Sequence, residues 1–164
     1  MASFLGINTN NIILTINNLK PTKHRLELIE TNINILDDTY NCSLSSAKEA
    51  LWALKNFPGK KMIATPGIIE CGKEKYNINF ELGKLIAFCD YCIIIGNENK
   101  TAIFNGIKKA ILENTKTPIQ PKTYCENSLE NAKQHFSLLN SGDTNSNTQV
   151  SYKPDACFSV ASIS

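Results

Sequence analysis

Apolar positions along the chain switch repeatedly between a helical and an extended spacing. Residues 4–19 carry Phe4, Leu5, Ile7, Ile12, Ile13, Ile16 and Leu19. Their second half, capped by Thr9 or Asn10, predicts a short helix that ends before Pro21. His24–Ile29 alternates loosely and Ile33–Leu36 is a short apolar run. With Thr31-Asn32 between them, they predict two antiparallel strands joined by a tight turn. Ser45 or Ser46 then caps a helix to about Phe57, in which Ala47, Ala50, Leu51 and Leu54 fall at helical spacing. Pro58-Gly59 stops it. Lys61–Thr65 predicts a strand that breaks at Pro66-Gly67. Glu74–Cys89 predicts a longer helix with Ile78, Leu82, Leu85 and Ile86 on one face. Tyr91–Ile95 is a near-continuous apolar run, the pattern of a strand buried on both faces of a parallel sheet, and it ends at Gly96. Thr101–Leu112 carries Ile103, Phe104, Ile107 and Ile111 as a helical stripe. Residues 117–124 predict a strand confined to an edge by Pro118 and Pro121. Ser128–Leu139 predicts a last helix.

From Ser141 the chain turns to Ser, Thr, Asn and Gly without a period, and 144–164 reads as a disordered or replaced tail. One short apolar cluster lies within it: Ala156-Cys157-Phe158 with Val160, Ala161 and Ile163. It alternates enough to add as an edge strand. No internal repeat is visible. The alternation of strand and helix between residues 33 and 139 gives the fold class as α/β: a Rossmann-like, mostly parallel sheet flanked by helices, with an N-terminal antiparallel hairpin. Ligands of such sheets bind outside the carboxyl ends of the strands. Here those ends are Asp37–Asn41, Thr65–Gly72 and Gly96–Lys100, all polar or glycine-rich.

Composition narrows the class. The 164 residues are 42% hydrophobic and 20% charged, enough for one folded domain and too apolar for a disordered chain. The net charge of +2 is too small to imply nucleic acid as a partner. No apolar run reaches the roughly 18 residues of a membrane span, and no basic-then-apolar leader opens the chain. A cytoplasmic location is expected, and the six cysteines are then expected to be reduced. Heavy use of Asn and Ile, with Lys in place of Arg, reads as the drift of an AT-rich genome.

Four clusters could carry chemistry. Gly96-Asn97-Glu98-Asn99-Lys100-Thr101 follows a buried strand and opens a helix, but it lacks the second glycine and the spacing of a phosphate-cradling loop. It reads as a capping loop or as a loop for another substrate. Cys89-Asp90-Tyr91-Cys92 places its first thiol at a helix C-terminus, the wrong order for a redox pair. No second cysteine pair stands at zinc spacing and His24 and His135 are isolated, so no metal site is expected. Asp37-Asp38-Thr39-Tyr40-Asn41 is the densest polar cluster at a strand end. It either holds a ribose hydroxyl or a metal-bound water, or merely ends a strand. Arg25, the only arginine in the chain, sits on the neighbouring strand. Its planar fork suits a phosphate or carboxylate, and pairing with Glu27 is the plainer alternative.

Leu19-Lys20-Pro21-Thr22-Lys23-His24-Arg25-Leu26-Glu27, followed by Asp37-Asp38-Thr39-Tyr40-Asn41, resembles the opening of the C-terminal domain of the Mur ligases. Thr65-Pro66-Gly67-Ile68-Ile69-Glu70-Cys71-Gly72 resembles the family's next loop, and Cys89-Asp90-Tyr91 into Ile93–Gly96 the strand after it. The similarity covers about residues 4–143. Within the family it is greatest to the members that join D-alanyl-D-alanine to UDP-N-acetylmuramoyl-tripeptide. The resemblance implies an ATP-dependent amide ligase of bacterial peptidoglycan synthesis. In such a ligase a carboxylate takes the γ-phosphate of ATP, and an amine attacks the acyl phosphate. By match of position Arg25, Asp38 and Asn41 would contact the nucleotide. Asn97, Asn99 and Lys100 would lie where relatives receive the incoming amine. ATP and Mg²⁺ would be held mainly by a central domain that these residues do not encode. UDP-muramoyl peptide and D-alanyl-D-alanine would be partners of the parent enzyme.

The chain departs from the family pattern in three places. No phosphate-binding glycine loop is present, and residues 1–20 read as the last helix of the missing central domain. Ser43-Leu44 stands where the family has Asn-Pro. The polar stretch Thr144–Gln149 follows Gly142-Asp143, where the family has an apolar strand. The implied organisation is therefore a helix remnant at 1–20, a C-terminal ligase domain at 21–143 and a replaced tail at 144–164. Such a chain is expected to be catalytically inactive alone. The alternatives are a non-catalytic module that partners separately encoded ligase domains in trans, or a fragment of a folylpolyglutamate or cyanophycin-type ligase.

Overall fold

A computed structural model describes residues 2–20, 22–30, 34–38, 42–113, 121–126, 131 and 159–163. Strands β1 (Glu27–Glu30) and β2 (Asn34–Asp37) form the expected antiparallel hairpin, with Glu27 opposite Asp37 and Glu30 opposite Asn34. Strands β3 (Lys60–Thr65), β4 (Tyr91–Ile95) and β5 (Lys122–Glu126) run parallel to one another, β5 at the edge. A sixth strand, β6 (Ser159–Ile163), completes a sheet of order β1-β2-β6-β3-β4-β5.

Part of the segment that reads as a tail is thus a strand of the sheet. It does not add at an edge: Ala161 lies opposite both Ile35 of β2 and Met62 of β3, antiparallel to each. β2 reaches the rest of the sheet through this strand. The predicted helix at Ser128–Leu139 lies outside the described residues, Asn131 excepted.

Helix α1 (Thr9–Asn17) is capped by Asn8, whose side chain accepts from the Asn10 N–H at 2.8 Å. It buries none of its residues, and Phe4, Leu5, Ile13, Leu14, Ile16 and Leu19 are all exposed. Helix α2 (Leu44–Lys55) starts one or two residues before the predicted cap. Ser43 accepts from the Ser46 N–H at 3.1 Å while Ser46 Oγ accepts from the Ser43 N–H at 2.9 Å. This reciprocal box satisfies two donors at once and gives the helix a regular entry at Ser43-Leu44. A 3₁₀ turn (Gly72–Glu74) leads into α3 (Lys75–Ile86), and α4 (Lys100–Glu113) follows β4.

The described helices α2, α3 and α4 bury their apolar sides against one face of the sheet. Ala47, Leu51, Leu54, Leu82, Ile86, Ile103 and Ile107 meet Leu36, Ile63, Cys92 and Ile94 there. The other face buries Ile35, Met62 and Ile93, so the near-continuous apolar run of β4 is buried on both sides, as its pattern requires. Helices α3 and α4 cross at two glycines. A Cβ on Gly83 would stand 2.1 Å from the Ile103 carbonyl oxygen, and one on Gly106 2.0 Å from that of Phe80. At the opposite ends of the strands from the site, Asp90 links three of them. Its carboxylate accepts from the Lys61 N–H at 2.7 Å, its own N–H donates to the Lys61 carbonyl, and its carbonyl accepts from the Lys122 N–H.

Candidate functional site

β2, β3 and β4 are parallel, so their carboxyl ends share one edge of the sheet. The antiparallel course of β1 brings the turn before it, residues 22–26, to the same edge. Two groups of residues form there. They are separated by the three strand spacings from β2 to β4, about 14 Å.

The first group is built on the hairpin. Arg25 lies in the turn before β1 and not on the strand where the sequence puts it; its N–H donates to the Thr22 carbonyl at 3.1 Å. The turn is tight enough to hold His24 at φ +64° and Leu26 at φ +48°. This left-handed backbone costs a non-glycine residue about 1–2 kcal/mol. What offsets it is contact with the start of β1 and the end of β2. The Leu26 N–H donates to Asp38 Oδ1 at 3.2 Å, the His24 N–H donates to Glu27 Oε2 at 3.0 Å, and His24 Nδ1 lies 2.7 Å from Asp37 Oδ2. His24 is therefore not isolated. It is paired, and with Glu27 and Asp37 it forms a cluster whose ligand atoms all lie within 4.8 Å of one another. Glu27 is turned toward His24's main chain.

Asp37 and Asp38 are both buried. Burial pushes the Asp38 carboxyl above the usual carboxylate range; the Leu26 N–H opposes this, the Asp37 charge adds to it, and the Arg25 guanidinium pulls it down. Arg25 and Asp38 are thus electrostatic neighbours at one end of the hairpin. Asn41, the third expected nucleotide contact, lies outside the described residues.

The second group is built on the loops after β3 and β4. Gly67 takes φ +87°, and a Cβ there would meet Asn79 Oδ1 at 2.4 Å and Asn99 Cβ at 2.8 Å. Asn79, fully buried on α3, accepts from the Ile68 N–H at 2.8 Å and donates to the Ile68 and Lys75 carbonyls at 2.9 Å. Asn99 is buried and donates to the Pro66 carbonyl at 2.9 Å, while its own carbonyl accepts from the Ile103 N–H. Its amide therefore joins the two loops. Asn97 is exposed and Lys100 half-buried at the start of α4. Lys75 pairs with Glu98 across the same loops. Sequence reasoning missed Asn79. The available signal was one polar residue on the apolar face that Ile78, Leu82 and Ile86 define.

The loop from Gly96 to Thr101 is drawn against Pro66 by Asn99, and only Gly96 has a glycine's backbone freedom, at φ +75°. A triphosphate cradle needs several amides curled around it. The Gly96–Thr101 segment holds one glycine and lacks the spacing of such a loop. Cys89 and Cys92 are fully buried. Their mutual hydrogen bond, then burial, pushes the Cys89 thiol well up, away from the reactive thiolate range. Among the described residues no helix is long and apolar enough to cross a membrane.

No family model matches the chain. Over 89 residues it is 32% identical to the UDP-N-acetylmuramoyl-tripeptide–D-alanyl-D-alanine ligase of Bacillus subtilis (strain 168), a match that takes in 52% of this chain and 20% of the relative. The chain therefore spans about a fifth of that relative's length. In structure it is similar to MurF from Acinetobacter baumannii in two crystal structures. Their TM-scores are 0.69 and 0.65 at 21% and 22% identity, covering 87% of this chain and 29% and 30% of those chains. It is also similar to MurF ligase from Thermotoga maritima in complex with ADP, with a TM-score of 0.56 at 23% identity over 77% of this chain and 32% of that one. The resemblance to the Mur ligases is present in sequence and in fold alike.

Proposed function

We propose that this chain serves as the C-terminal domain of an ATP-dependent amide ligase of peptidoglycan precursor synthesis, one that joins D-alanyl-D-alanine to UDP-N-acetylmuramoyl-tripeptide. The hairpin end would contact the nucleotide through Arg25 and Asp38, with Asn41 following. The loop at Asn97 and Lys100 would meet the incoming amine, and Asn99 would position that loop. ATP phosphates and Mg²⁺ would be held by ligase domains outside these residues. The observation that carries the reading is the placing of Arg25 beside Asp38 at the carboxyl edge of an α/β sheet, on the same edge as the Asn97–Lys100 loop.

The test has two arms. ADP binding by the purified chain, followed by calorimetry, is expected to weaken about tenfold or more in Arg25→Ala, since a charge-assisted contact is lost. Equal affinity would remove Arg25 from the site. Supplied with ATP, Mg²⁺, UDP-muramoyl tripeptide and D-alanyl-D-alanine, the chain alone is expected to give no ligation, because the groups that align carboxylate and γ-phosphate lie elsewhere. Turnover above background would overturn that division of labour.

A further inference from the structure

We propose that the open end of the β1–β2 hairpin binds one divalent transition-metal ion through His24, Glu27 and Asp37. Glu27 and Asp37 are direct partners in the antiparallel ladder, so their side chains stand on one face of the hairpin. Like charges so placed disfavour each other, and a cation between them would relieve this. Asp37 is the more demanding of the two, with only 6% of its side chain exposed. The left-handed backbone at His24 carries an imidazole to this pair, with Nδ1 2.7 Å from Asp37 Oδ2.

The geometry is that of a first coordination shell drawn slightly apart. One donor atom from each side chain lies within 4.8 Å of the other two. Around a zinc or cobalt ion with bonds of about 2.0–2.2 Å, neighbouring donors stand about 3.3–3.6 Å apart. Small rotations of Glu27 and His24 close the set on a common centre, the ion replacing the proton between Nδ1 and Oδ2. One imidazole nitrogen with two carboxylates suits zinc, cobalt or nickel. Magnesium and calcium favour all-oxygen sets. The His24 side chain is 25% exposed, which leaves a way in from solvent beside the buried Asp37. The site is separate from the ligase reading, which assigns none of these three residues.

The experiment titrates the chelator-stripped full chain with Zn²⁺ by calorimetry and with Co²⁺ by visible absorption. Two variants isolate the site. His24→Gly removes the ring at a φ that glycine prefers, so the chain stays folded. Glu27→Gln keeps an acceptor for the His24 N–H and removes the charge. One Zn²⁺ per chain is expected, with affinity lowered about 100-fold in His24→Gly and about tenfold in Glu27→Gln. The Co²⁺ complex should show d–d bands without the near-ultraviolet charge transfer of a thiolate. Failure of Zn²⁺ to bind would overturn the proposal. So would binding that both variants leave unchanged, or a thiolate band, which would move the ion to a cysteine such as the exposed Cys125.

Discussion

Two amide side chains, Asn79 and Asn99, hold the loop after β3 in place. Asn79 satisfies both the N–H and the carbonyl of Ile68 inside the protein. Asn79→Ala would remove this partner from the N–H and leave the carbonyl with the weaker Cys71 thiol, 3.3 Å away; a buried orphan costs about 1–3 kcal/mol. Urea unfolding should therefore show a loss of about 1–3 kcal/mol, whereas Asn11→Ala on the exposed helix α1 should stay within about 0.5 kcal/mol. Asp38 behaves differently. Its pKa is raised in the folded chain, chiefly by burial, so the native state holds a proton that the unfolded chain has already released. Its contribution to stability is full below the ordinary carboxylate range and is lost as pH rises through the raised value. Asp38→Asn keeps an acceptor for the Leu26 N–H and removes this dependence. Thermal melts across the acid range should show a flatter profile than the parent chain, and a higher melting temperature than the parent at neutral pH. Parallel profiles would mean that Asp38 does not titrate there. The burial of neither residue could be read from sequence alone. A buried asparagine and a solvated one are the same letter, and positive φ at His24 and Leu26 arises from contacts made across the hairpin.

At the scale of elements, local pattern and packing agree where the signal is short-range. The stop at Pro58-Gly59 and the double-faced burial of β4 both follow from neighbours in sequence. Element ends are less legible because they depend on what caps them: α2 begins at Leu44 because Ser43 and Ser46 bond each other, and α3 ends at Ile86 rather than running on to Cys89. The crossing of α3 and α4 is set by two glycines that look like weak points in a helix. They are close contacts instead. Gly83→Ala would drive a methyl into the Ile103 carbonyl, and because backbone cannot yield as a side chain does, the helices must separate. A loss of about 3 kcal/mol, with a lower denaturant midpoint at unchanged slope, is expected. Gly72→Ala meets no atom within 4 Å; it tests only the cost of φ +52° and should lose about 1 kcal/mol.

The whole molecule is joined across β6. The hairpin with His24, Arg25, Asp37 and Asp38 is coupled to the rest of the sheet by a strand more than 120 residues further along the chain. That pairing was not legible: a five-residue alternation names a strand but not its neighbours, and its partners are fixed only once β2 and β3 lie a strand's width apart. Ala161→Pro would remove a ladder donor in the middle of the sheet. Its melting temperature should fall by about 5 °C or more, with faster amide exchange in β1 and β2 than in β4. An unchanged melt would mean that the hairpin holds its place without β6. The order of synthesis gives this arrangement a kinetic consequence. On the ribosome, β1 to β5 are all made before the strand that fits between them. Until it emerges, β2 and β3 each present an open edge to any extended segment nearby. Closing the sheet then requires contacts between residues far apart in sequence, an entropic barrier that slows folding far more than it weakens the finished structure. A nascent chain of this kind depends on the interval between translation of residue 65 and residue 163, and a chaperone that covers sheet edges would act in that interval.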